Sequence, residues 1–304
     1  MSLKKVLVFG PTGGVGSAVF LAMRNPSKPI PGLSAEEEQK SERYERIQSD
    51  LNEPDSVRTA VLKTGATHAF IYAAIGSSPD HLRSTAEVLK AAGIKYVVLL
   101  SSYTVRGDIT AIQPSHPIAY EHAQVEISLE EVFGPKRYVA VRPAFFASNS
   151  LWWAKQIVED GEVKWAFPDL KFDFISPDDI GAVCGTILAG FVDGEQENPV
   201  FLAGPEKELS IADAIDIIGQ LIKKPTKVTE ISPEENVRVL VEKSGMTEMM
   251  AKVLTESFVK ASENQVFLRA PLTPEMRANI ENYLKRPAMR FSEWAGNNKD
   301  KFEA

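Results

Sequence analysis

The chain has 304 residues, 44% of them hydrophobic and 25% charged, enough to bury a sizeable core as one large domain or two smaller ones. A net charge of -7 excludes phosphate-backbone binding as the main task, because nucleic-acid binders concentrate Lys and Arg. Cys184 is the one cysteine, so no intramolecular disulfide forms, and no apolar run approaches a membrane span, which together give the expectation of a soluble, cytoplasmic protein.

The first element is an apolar run, "KKVLVFG" at 4 to 10, that leads directly into Gly10-Pro11-Thr12-Gly13-Gly14-Val15-Gly16. Glycines between a strand and a helix allow a tight turn and let backbone amides approach a pyrophosphate at the helix start. Placed after the first strand, they favour dinucleotide binding over an ordinary glycine turn.

The next stretch breaks the expected pattern. A dinucleotide fold needs a full helix and a second strand ending at the adenosine ribose roughly 20 residues after the glycines. Here "SAVFLAMRNPSKP" follows at once, and "AVFLAM" is long enough for the helix or the strand, not both. The adenosine side is thus compressed, and dinucleotide binding weaker than the motif promises is expected.

Asp50 in "QSDLNEP" lies either where a carboxylate meets adenine or where it caps a helix starting near Pro54. Strands are then expected in "THAFIYAA" (67 to 74), "KYVVLLSS" (95 to 102) and "RYVAVRP" (137 to 143), apolar on both faces as in a parallel sheet covered by helices. Between them "PDSVRTAVLKTG", "DHLRSTAEVLKAAG" and "YEHAQVEISLEEVFG" have helical periodicity and stop at glycine. The alternation predicts an α/β fold, a Rossmann-type doubly wound parallel sheet.

Strand ends are where chemistry is expected. Ala73, Ala74 and Ile75 are small or apolar beside the presumed cofactor path, and the hydroxyls of Ser101 and Ser102 either position a ligand or cap the chain. Tyr120 and Gln124, four residues apart, share one face of a helix. His68, His81, His116 and His122 are not paired at metal-ligand spacing, so structural zinc is not expected, and His122 is read as a surface residue. The apolar setting "GAVCGTIL" makes Cys184 an inert buried thiol.

From near residue 149 the pattern loosens, giving the division 1–148 for a nucleotide-binding domain and 149–304 for a closely packed α/β substrate region that partly completes the sheet. "FDFISPDDIGAVCGTILAGF" and "PVFLAGPEKELSIADAIDIIGQLIKKP" each read as strand, turn and helix, and 233 to 262 and 273 to 285 as helical. The aromatics Phe145, Phe146, Trp152 and Trp153 are either core packing or one wall of a pocket for a flat substrate.

Taken in order, "GPTGGVG", "RNPSK", "SDLNEPDS", "VVLLSS", "HAQVE", "VRPAFFASN" and "FSEWAGNNKDKF" resemble the NmrA-like atypical short-chain dehydrogenases/reductases, relatives of the isoflavone-reductase-like enzymes. The likeness covers nearly the whole chain. It implies an NADP-preferring Rossmann fold in which Gly10, Pro11, Thr12, Gly13, Gly14, Val15 and Gly16 cradle the pyrophosphate and Arg24 and Lys28 meet the ribose 2′-phosphate. Asp50 and Leu51 would flank adenine; Ala73, Ala74, Ile75 and Ser101 would line the cofactor; Pro143, Ala144, Phe145 and Phe146 would border the nicotinamide. Tyr120, Gln124 and Ser102 would form the catalytic set.

The family resemblance also supplies a departure, since Gln124 stands where reductases of the family carry lysine. Gln124 can hydrogen-bond a ribose but carries no charge. The lost electrostatic help is worth up to about 4 kcal/mol for a unit charge at about 4 Å, or up to about a thousandfold in rate. The expectation is a weak, reduction-biased reductase of a small carbonyl or conjugated aromatic compound using NADP(H). The alternative is a non-catalytic NADP sensor that regulates a protein partner. No membrane or nucleic-acid partner is expected.

Overall fold

In the computed structural model, residues 5–11, 13–22, 47–76, 78–190, 196–207, 209–264 and 272–303 are described. Each apolar run of the first half becomes a strand at its most apolar centre: β1 Val6–Val8, β2 His68–Tyr72, β3 Tyr96–Leu100 and β4 Tyr138–Pro143. The helices between them are α1 Gly14–Ala22, α2 Pro54–Thr64, α3 Arg83–Ala92 and α4 Pro117–Phe133. Gly65 and Gly93 stop α2 and α3 in left-handed conformations that a side chain would disfavour.

The strands pair in parallel in the order β1-β2-β3-β4-β7, the last being Val200–Leu202. Val6 lies opposite His68, Val97 opposite Tyr138, and Val141 opposite Val200. Alternate strand residues Ala69, Ile71, Val97, Leu99 and Ala140 join one core with Val57 and Val61 of α2, Leu89 of α3 and Leu129 of α4. The period of two sends Phe70, Val98 and Val139 to the other face. There α6 (Pro177–Ala189) packs against β2 and β3, and α1 packs on α6. A Cβ on Gly181 would stand 2.4 Å from the Ala18 Cβ, so glycine is what lets α1 and α6 approach this closely.

"AVFLAM" contributes helix rather than strand, because α1 runs through Ala22. Among the described residues β1 therefore pairs with β2 alone and is the edge of the sheet. Arg24 and Lys28 lie outside the described residues, as does Thr12.

The chain forms two compact units, the first of 1–143, 177–202 and 279–287, the second of 144–176, 203–278 and 288–304. A single cut at residue 148 does not separate them, since α6, β7 and much of α10 (Pro274–Leu284) belong with the sheet.

The second unit holds α5 (Ala154–Asp160), the parallel pair β5 (Glu162–Trp165) and β9 (Lys227–Glu230), and the antiparallel pair β6 (Lys171–Phe172) and β8 (Leu209–Ser210). Its helices are α7 (Ile211–Leu221), α8 (Pro233–Ser244), α9 (Glu248–Asn264), α11 (Phe291–Asn297) and α12 (Asp300–Glu303). A capping box between Ser210 and Asp213 starts α7. The core of this unit is aromatic: Phe145 stacks on Phe172 with centroids 4.0 Å apart, and Trp153, Trp165 and Phe258 pack around it.

Candidate functional site

The turn after β1 is shaped by what its residues lack. Gly10 has φ +65°, its carbonyl accepts from the Gly13 amide at 3.0 Å, and Ser17 closes the first helical turn onto Gly13 at 2.9 Å. A Cβ on Gly16 would lie 2.1 Å from the Gly10 carbonyl oxygen, inside van der Waals contact with backbone that cannot give way. At Gly16 the turn admits only glycine, and α1 begins at Gly14. The half-exposed Tyr72 ring lies along Gly10, where a Cβ would meet it at 3.1 Å.

Asp50 uses its carboxylate locally: Oδ1 accepts from the Asn52 amide at 2.8 Å, three residues before the α2 N-cap, Glu53. Leu51 is buried and its carbonyl accepts from the Thr85 hydroxyl at 2.6 Å, tying this turn to α3. Ala73 and Ala74 are half-buried beyond β2, and Ile75 is exposed.

At β3 the two serines part ways. Ser102 Oγ shares a 2.8 Å hydrogen bond with Thr104 Oγ1 and accepts from the Thr104 amide, holding a tight turn. Ser101 is buried and donates at 2.5 Å to Glu126 Oε1, itself buried in α4. Glu126 also accepts from Arg142 of β4, Nε at 3.0 Å and Nη2 at 2.5 Å, a bidentate pair, while Arg142 Nη1 donates to the Val105 carbonyl at 2.9 Å. Three elements meet at this ion pair. A charged residue inside "RYVAVRP" was the sequence signal for it; its partner could not be read from spacing.

Tyr120 and Gln124 both lie on α4 and both are half-buried, one turn apart as the spacing requires. Across from Tyr120 stands His81, whose ring meets the Tyr120 ring edge to face at 5.7 Å and whose Nδ1 lies 3.3 Å from Glu121 Oε2. No pattern in the sequence indicated this contact, since His81 precedes α3 in an irregular segment. His122 is half-buried rather than a surface residue: its Nδ1 is buried without a hydrogen-bond partner among the described residues, and burial, aided by the Arg142 charge, pushes its pKa down to about 4. The helix turns that side chain inward, between the exposed and buried faces, which the period from Tyr120 did not reveal.

Pro143 ends β4, and its carbonyl accepts from the Tyr103 amide at 3.0 Å. Ala144, Phe145 and Phe146 belong to the second unit. There Phe145 is a core residue whose amide donates to Asp173 Oδ1 at 3.0 Å, and Phe146 bridges Ile175. Asp173 Oδ2 accepts from the Gly204 amide at 2.6 Å, and burial raises its pKa to about 6 against these hydrogen bonds. Cys184 is buried, which pushes its thiol pKa up, as an inert thiol requires.

A parallel sheet flanked by helices, with a glycine turn after its first strand, defines a Rossmann-type α/β protein. The chain belongs to the NmrA-like family, which it matches over residues 2–295. It is 37% identical to a nitrogen metabolite regulation-like protein of Gibberella fujikuroi, covering 95% of each chain. It is 24% identical to a (4-alkanoyl-5-oxo-2,5-dihydrofuran-3-yl)methyl phosphate reductase of Streptomyces griseus, covering 98% of this chain and 99% of that one. An NADPH-dependent quinone oxidoreductase of Escherichia coli, solved with NADPH, superposes with TM-score 0.70 at 18% identity over 97% of this chain and 99% of that one. A Citrobacter triphenylmethane reductase with NADP(H) superposes with TM-score 0.68 at 16% identity over 96% and 99%. No helix among the described residues is long and apolar enough to cross a membrane.

Proposed function

We propose that this chain is an NADP(H)-dependent oxidoreductase that reduces a small carbonyl or conjugated aromatic compound. The observation that carries the proposal is the cradle at Gly10 and Gly16, where a single added Cβ would close the space to 2.1 Å. The family and its reductase relative support the same reading.

In this reading Gly10 to Gly16 hold the pyrophosphate, Asp50 and Leu51 flank adenine, and Arg24 and Lys28 meet the 2′-phosphate. Ala73, Ala74, Ile75 and Pro143 line the remaining cofactor path, while Ser101 and Phe145, buried in their own units, do not take the places the family resemblance gives them. When bound, NADPH supplies the hydride. Tyr120 gives its phenolic proton to the substrate oxygen, Ser102 positions that oxygen, and Gln124 holds ribose hydroxyls with an uncharged amide. A phenol donates a proton at neutral pH without a base, so reduction proceeds; alcohol oxidation, which starts from a phenolate, is the slower direction.

NADPH absorbance followed with quinones, enones and ketones tests this. Turnover by the wild type that vanishes in Tyr120→Phe supports the reductase, and turnover that survives the substitution removes Tyr120 from its role. A second reading, an NADP-sensing regulator acting on a protein partner, is favoured by the description of the 37% identical relative. It predicts NADP(H) binding with no turnover on any compound of the panel.

A further inference from the structure

We propose that His81, charged through its pairing with Glu121, supplies Tyr120 with the positive charge that Gln124 cannot; this rests on Tyr120 being the proton donor proposed above. His81 touches the Tyr120 ring at 5.7 Å between centroids, and Glu121, the next residue on the same helix, takes its Nδ1 at 3.3 Å. Both partners of that pair keep about a quarter of their side-chain surface exposed, 25% and 24%, so their interaction is only partly screened by solvent.

The backbone is built to place this ring. His81 and Leu82 are consecutive non-glycine residues in the left-handed region, with φ +51° and +59°, a conformation side chains rarely adopt. It is held because Leu82 is buried in the core and its amide donates to Ser78 Oγ at 2.8 Å. Asp80 is occupied by Ser78 and by the amide and hydroxyl of Ser84, and Arg83 by Glu87 and Glu131. Among the described residues, Glu121 is thus the carboxylate turned to the imidazole.

In the reaction a hydride reaches the substrate carbon and the Tyr120 proton reaches the substrate oxygen. The phenolate left on Tyr120 is stabilised by His81, which keeps its own proton throughout, and is then reprotonated from solvent. His81 is therefore a positioning residue acting through Tyr120. A unit charge within a few ångströms of a reacting group near a protein surface is worth about ten- to a hundredfold in rate.

The test compares wild type, His81→Asn, which tolerates the left-handed backbone, and His81→Lys, which restores a fixed charge. His81→Asn is expected to reduce substrate about tenfold more slowly than wild type, and His81→Lys faster than His81→Asn, with KM for NADPH unchanged in both. In the protein without cofactor, tetranitromethane is expected to nitrate Tyr120, read by peptide mass, more slowly in His81→Asn than in wild type. A folded His81→Asn protein that keeps the wild-type reduction and nitration rates overturns the inference. Absence of NADPH turnover in every protein overturns the reductase reading instead, and the nitration comparison still decides whether His81 acts on Tyr120.

Discussion

Two places along the described sheet, the turn after β1 and the strand ends of β3 and β4, solve their problems by opposite means. After β1 the space is made by missing side chains, with Gly10 and Gly16 so close that backbone alone fills the turn. After β3 and β4 it is filled by charge, with Ser101, Glu126 and Arg142 locked together and shut off from water. The first arrangement is local in sequence, a turn closed by its own backbone. The second joins residues far apart in the chain and is buried away from solvent, so it holds α4 and its Tyr120 in place instead.

The largest break in this contrast is Glu126→Ala. It strands the Arg142 charge in the interior and is expected to cost about 3–5 kcal/mol in urea unfolding. If the ion pair holds α4 as described, Glu126→Gln loses less, because the amide still accepts one hydrogen bond from the guanidinium.

A third buried polar centre sharpens the comparison through pH. Asp173 has amide partners and a pKa raised to about 6 from 3.8, so the folded chain keeps its proton longer than the unfolded one. Its contribution is present at low pH and lost as pH rises through about 6, about 3 kcal/mol in all. His122 works in the other direction: with a pKa lowered from 6.5 to about 4, its contribution is present above 6.5 and lost as pH falls toward 4. Over pH 4 to pH 6 these two contributions therefore oppose each other, and relative to the wild type Asp173→Asn should steepen the rise of stability with pH, while His122→Gln should reduce it.

Gly16→Ala is expected to cost about 1–3 kcal/mol by crowding the Gly10 carbonyl, with a proportionally larger loss of NADPH binding by calorimetry. Equal loss of stability and intact binding would show that the cradle is structural only. The smallest expected effect is Ser102→Ala, about 1 kcal/mol for its turn hydrogen bonds. A fall in reduction rate well beyond that cost would separate a role in positioning substrate from a role in the turn.

Much of the fold was legible. The apolar centres of "AFIY", "VVLL" and "YVAV" mark strands that are covered on both faces, "VLVF" marks the half-buried edge strand β1, and the glycines ending α2 and α3 mark the stops. The "AVFLAM" ambiguity resolved to helix because α1 has α6 to pack on, a partner far away in sequence that the local pattern cannot show. The aromatic run after β4 left core and pocket open, and Phe145 and Trp153 proved to be core.

By itself the sequence determined what depends on neighbours along the chain: strand and helix periods, the glycine turn, and the single-turn spacing of Tyr120 and Gln124. Only the tertiary structure decided which charges are buried together. It brought His81 to Tyr120, turned His122 inward and joined Glu126 to Arg142 and Ser101. The physical reason is that a charge is stabilised by whatever lies within a few ångströms of it once water is excluded, and the chain folds those partners together from separate elements whose spacing carries no mark of the meeting.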